Sequence, residues 1–146
     1  MKKAWLLIVC ATVGFAYSAS ARLGETVALV EMRYGKPVWE HTASHDGSTR
    51  THQKMGEPSI VMKDYENSGF KIKVEYNNGI SVKETYYRST ELDSAEIEAL
   101  LQANSNGKKW TLEATGRWKR EDGAIASLEG SGKHHKLTVM LAPKGF

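Results

Sequence analysis

Phe70-Lys71-Ile72-Lys73-Val74-Glu75-Tyr76-Asn77, then Asn78-Gly79, then Ile80-Ser81-Val82-Lys83-Glu84-Thr85-Tyr86-Tyr87 is the stretch that decides the fold. Phe70, Ile72, Val74 and Tyr76 alternate with Lys71, Lys73, Glu75 and Asn77, a period of two that gives a strand one apolar and one wet face. Asn-Gly is the favoured pair for a two-residue type I′ turn, because both central positions need positive φ. Ile80, Val82 and Tyr86 are expected to continue the apolar face on the returning strand. Upstream, Ser59 to Tyr65 reads as a further strand joined through Asn67-Ser68-Gly69, which makes an antiparallel meander of three strands.

Working outward, Leu23, Val27, Val30 and Tyr34 recur at steps of four, three and four, the spacing of one helix face over about Glu25 to Tyr34. Glu25 and Arg33 suit the two ends of the helix dipole, and Gly35 and Pro37 supply the stop. On the other side, Asp93 and Glu96 form a capping box, with Leu92 and Ile97 as its hydrophobic staple. Ile97, Leu100 and Leu101 give that helix a buried stripe, and Asn104-Ser105-Asn106-Gly107 ends it. Strands follow at about Trp110 to Ala114, Arg117 to Glu121, Ala124 to Glu129 and His135 to Leu141, with Asp122-Gly123 as a tight turn. The expected fold is α+β: an antiparallel meander sheet with two helices packed on one face, in the order helix, strands, helix, strands. The helices run into similar endings, Gly35-Lys36-Pro37-Val38-Trp39 and Gly107-Lys108-Lys109-Trp110. This hints at a duplicated unit, although Gly and Trp are ordinary in those places.

The chain opens on Lys2 and Lys3, an uncharged run from Ala4 to Ala21, and the small-residue ending Ala19-Ser20-Ala21. That is the order of a cleavable secretory signal over residues 1–21, so a periplasmic or secreted location is expected. The run is near the ~18-residue lower limit for a bilayer span, but Gly14, Ser18 and Ser20 dilute its end, so no stable span is expected after cleavage. Removal of 21 of the 146 residues leaves 125, read as one α+β domain over residues 22–146. It also takes the sole cysteine, Cys10, and two of the 20 basic residues, leaving 18 against 17 acidic ones. A net charge of +1 gives no support for nucleic acid as partner, and thiol chemistry and disulfides are excluded.

Glycine-cradled phosphate sites, a serine elbow and paired carboxylates in an acid–base setting are all missing from the pattern, so an enzyme is not expected and no cofactor is implied. The polar segment at about 42–57 is read as an exposed loop. His41, at its margin, with His45 and His52 inside it, are weak candidates for zinc or copper, because a loop holding Gly47 is not the helix that a His-x3-His pair needs. Aromatics on a sheet face can serve either as core or as a binding platform; Trp39, Tyr87, Trp118 and Arg120 are the candidate partner contacts. The best reading is a non-enzymatic binding module of the cell envelope whose partner is an envelope or secreted protein. A metal-binding protein or metal-dependent enzyme using the loop histidines is the alternative, and an inhibitor of a secreted enzyme a third.

Two sets of motifs carry a resemblance. Arg22-Leu23-Gly24-Glu25-Thr26 with Arg33-Tyr34-Gly35-Lys36-Pro37, and Glu96 to Asn104 (E-I-E-A-L-L-Q-A-N) with Trp118-Lys119-Arg120-Glu121-Asp122-Gly123-Ala124, resemble a family of small exported bacterial proteins. The resemblance implies export and a single domain; it carries no activity. A more distant likeness, on Gly35-Lys36-Pro37 alone, is to the BamE-type outer-membrane assembly lipoproteins and to the β-lactamase inhibitory proteins, which implies a helix leading into an antiparallel sheet.

Overall fold

A computed structural model of the chain describes residues 23–43 and 59–142. The expected leader, Cys10 and most of the polar segment, with His45 and His52, lie outside the described residues. In chain order come helix α1 (Val27–Tyr34), strands β1 (Trp39–Ala43), β2 (Ile60–Asn67), β3 (Phe70–Asn77) and β4 (Ile80–Tyr87), helix α2 (Ser94–Ala103), and strands β5 (Trp110–Ala114), β6 (Arg117–Arg120), β7 (Ile125–Glu129) and β8 (Lys136–Met140). One 3₁₀ turn, Gly132–His134, precedes β8. All eight strands join one antiparallel sheet, ordered β1-β2-β3-β4-β8-β7-β6-β5, so the fold is α+β. Two meanders therefore meet at the β4–β8 pair, and the first strand after each helix becomes a sheet edge. No helix among the described residues is long and apolar enough to cross a membrane.

The central hairpin turns as its sequence dictates, with positive φ at both Asn78 (51°) and Gly79 (78°). Its returning strand departs from strict alternation. The register shifts between Glu75 and Tyr76, so that Glu75 faces Lys83 while Tyr76 faces Ser81, and Val82 is the extra residue of a bulge. The expected face of Ile80, Val82 and Tyr86 is thereby corrected: Ile80 is 37% exposed, whereas Ser81, Glu84 and Tyr86 are buried. Ser81 Oγ accepts the backbone N–H groups of Gly24 and Glu25, both at 3.1 Å, which ties the approach to α1 onto the sheet.

Three smaller corrections follow from backbone hydrogen bonding. Helix α1 starts at Val27 rather than Glu25, and Glu25 instead pairs its carboxylate with Arg33. Thr42 and Ala43, placed in the polar loop by composition, pair with Val61 and Ile60 as the end of β1. The β6–β7 connection has three residues, not two: Arg120 N–H donates to Ala124 O at 2.8 Å and spans Glu121-Asp122-Gly123, with Gly123 at φ 88°. At α2 the expected capping box is present, with Asp93 Oδ1 accepting Glu96 N–H at 2.8 Å and Glu96 Oε2 accepting Asp93 N–H at 3.1 Å.

The core gathers Val30 and Tyr34 of α1, Leu101 of α2, and Tyr65, Ile72, Val74, Tyr76, Tyr86, Leu137, Val139 and Ala126 of the sheet. Leu23, Val30 and Tyr34 are buried and Val27 packs against them, as the helical spacing requires.

Candidate functional site

An open cleft of about 940 Å³ lies between α2 and the β5–β6 hairpin. Pairing of Trp110 with Arg120 and of Leu112 with Trp118 sets Trp110, Leu112 and Trp118 on one sheet face, and the two tryptophans line the cleft. Ala95 and Ala99 line it from α2, and their short side chains leave the space unfilled. Glu98, Gln102, Lys108, Lys109 and Glu121 add polar groups to its lining.

Trp110 is fixed before any ligand arrives. Its Nε1–H donates to Leu101 O at 2.8 Å, one of the carbonyls left unpaired at the end of α2. The Arg120 guanidinium lies 5.4 Å from the Trp110 ring centroid. Arg120 is itself held by Asp122, whose Oδ1 and Oδ2 accept its Nε–H and Nη2–H at 2.7 and 2.8 Å, and by Asn104 O, which accepts from Nη1. The hydrogen bond from Arg120 keeps the Asp122 carboxyl below the usual carboxylate range.

A chain of polar groups leads from this clamp into the core. Asn104 Nδ2–H donates to Leu100 O at 3.0 Å and to Tyr86 OH at 3.1 Å. The Tyr86 hydroxyl donates to Glu84 Oε2, which also accepts Tyr34 OH at 3.2 Å. Glu84 is fully buried, and its Oε1 is without a hydrogen bond among the described residues. Burial dominates its titration and raises the carboxyl above the ordinary 4.5, with the Tyr86 hydrogen bond acting against the shift. The folded protein thus holds this proton to higher pH than the unfolded chain does. The resulting stability is complete below about 4.5 and is lost as pH rises through the folded value. Glu84→Gln keeps an oxygen acceptor and cannot ionise, so its melting temperature is expected to exceed the parent's at about pH 8 and to converge on it toward about pH 4. Thermal melts with parallel pH dependence for both proteins would contradict the raised carboxyl.

The candidate partner contacts do not converge. Following the register from Trp39 through Asp64, Lys73, Thr85, Thr138 and Ser127 to Arg117 puts Trp39, on the edge strand β1, on the face opposite Trp118 of β6. Trp39 is 48% exposed and stacks on His41 with ring centroids 5.4 Å apart. Tyr87, half-buried, shares the face of Trp39, since its neighbour Tyr86 points into the core. Trp118 lines the cleft. Arg120 is buried, at 2% exposure, with its guanidinium against the Trp110 ring. The basic strip of Arg117, Lys119 and Arg120 is split the same way, because alternation sends Arg117 and Lys119 to the other face. Among the described residues no three His, Cys, Asp or Glu side chains converge as a metal set, and of the loop candidates only His41 is described.

Sequence reasoning missed Trp110 as a site residue, Glu84 as a core group and Asn104 as their link. Alternation from Tyr86 already put Glu84 on the core side, and Trp110 stands in the alternation of its own strand with Leu112. Nothing in the sequence marked Asn104 beyond a helix end.

The chain matches no family model, no curated protein and no solved structure.

Proposed function

We propose that the protein is a non-enzymatic, exported binding module of the cell envelope that grips an envelope or secreted protein in the cleft floored by Trp110 and Trp118. The observation that carries this reading is a pre-set aromatic surface left open: Trp110 is tied to Leu101 O and backed by Arg120, while the space above it is unfilled. Rigid aromatics lining an open cleft give large contact area at low ordering cost, the usual make-up of an interface hot spot. The same reading takes both helices to cover one face of the sheet, with Tyr34 and Asn104 both meeting Tyr86 in support. Export rests on the leader at residues 1–21 and on the family resemblance given above.

A photo-crosslinking residue placed at Gln102, on the cleft wall, is expected to capture one discrete envelope protein in cells, and the same residue at Tyr87 to capture none. With that partner purified, Trp118→Ala is expected to weaken binding by about thirtyfold, the size of a hot-spot truncation near 2 kcal/mol. Equal capture from both positions, or unchanged affinity of Trp118→Ala, would remove the cleft from the interface.

A further inference from the structure

Strand β5 is a sheet edge, and its sequence is complementary to itself in one antiparallel register. Lys109 O accepts the Glu121 N–H at 3.1 Å, so Lys109 and, two residues on, Thr111 turn their backbone groups toward β6. Trp110 and Leu112 consequently present N–H and C=O outward, away from the sheet. Leu112 is 61% exposed, a large apolar side chain beside an open backbone edge. The strand contains no proline, and the extra residue of its bulge is Glu113, the next after these two.

We propose that a second copy of this chain pairs with β5 about a two-fold axis through Thr111, making one continuous sheet from two. In that register Trp110 of each copy lies opposite Leu112 of the other, as hydrogen-bonded pairs that use all four outward N–H groups of the two strands. Thr111 faces Thr111, and Lys109 faces Glu113. Aromatic with aliphatic, threonine with threonine and lysine with glutamate are all favourable cross-strand pairs. Shifting the axis to Leu112 would set Trp110 against Ala114 and lose the charge pair, so the register is specified. Within its own chain Glu113 lies 3.6 Å from Arg117 Nε and 3.8 Å from Lys119 Nζ. Its side chain keeps 39% exposure, which leaves room for Lys109 of the second copy.

The pairing also changes the cleft. Trp110 and Leu112 share the cleft's face, so the second copy's Leu112 extends the apolar floor beyond Trp110, and the two clefts become one trough across the axis. The pairing itself does not depend on what the cleft binds.

Sedimentation of the purified protein is expected to show a dimer whose fraction rises with concentration. Thr111→Lys and Thr111→Glu each set like charges against one another across the axis and are expected to weaken self-association at least about tenfold, while an equimolar mixture of the two variants recovers it. In a Cys10→Ser background, Thr111→Cys is expected to give a disulfide-linked dimer under mild oxidation, because directly opposed residues lie within disulfide reach. Leu112→Cys, two residues out of register with its own copy, is expected to give none. Monomers at every concentration, a mixture no better associated than its components, or equal cross-linking at both positions would each overturn the proposal.

Discussion

Replacing Arg120 by alanine is expected to lower the unfolding free energy by about 3 kcal/mol, the low end of the range for removing one member of a buried charge pair. The low end applies because Asp122 keeps 31% of its side chain exposed and can recover solvent, whereas Arg120 keeps 1%. Two further losses accompany the charge. Asn104 O gives up its donor at the end of α2, and the Trp110 ring loses its guanidinium neighbour. Arg120→Lys is expected to fall between the two proteins, since an ammonium keeps the charge but cannot reach Asp122 with two donors and Asn104 O with a third. Urea unfolding followed by circular dichroism measures both; an alanine variant within about 0.5 kcal/mol of the parent would mean that Arg120 is a surface residue in solution.

Tyr86→Phe is expected to cost about 2 kcal/mol, the penalty for leaving a buried polar atom unpaired. The hydroxyl is the meeting point of three elements: it donates to Glu84 and receives from Asn104, with Tyr34 OH 3.2 Å away. Phenylalanine fills the same volume, so the loss isolates the hydrogen bonds from packing. Combining Tyr86→Phe with Glu84→Leu, which removes the acceptor that Glu84→Gln keeps, separates the contributions further. If the two groups act as a pair, the double variant is destabilised by less than the sum of the singles. Strict additivity would show that Tyr86 acts through Asn104 and Tyr34 rather than through Glu84.

How much of this was legible in the sequence differs by element, for physical reasons. The β3 alternation, the Asn78-Gly79 turn and the Asp93-Glu96 box are local: each depends on residues within one strand, turn or helical turn, and each stands where the spacing puts it. The bulge at Val82 is not local, because it reflects how Tyr76 and Ser81 fit across strands and how Ser81 meets the segment before α1. Strand β1 escaped notice for the related reason that its polar residues are stabilised by pairing with β2, which composition does not report. Trp118 was found because large aromatics are few. Arg120, a cation in a short hairpin, reads as wet until its register partner, Trp110, is known to lie beneath a helix end. Glu84 is easily overlooked although its position in the alternation is plain, since a carboxylate is expected to leave the core unless the core supplies hydroxyls; one comes from Tyr86 on the same strand, but the other comes from Tyr34, distant in the chain and adjacent in space.

The placement of β8 between β4 and β7 has a consequence for how the molecule comes into being. The last strand of the described chain is the central seam of the sheet, with Lys83 opposite Met140 on one side and Ile125 opposite Met140 on the other. Each meander can form from neighbouring residues, yet the two halves acquire a common backbone only when that strand arrives. Deleting this one strand would divide the sheet down its middle, and in a growing chain the two halves stay unjoined until β8 is available.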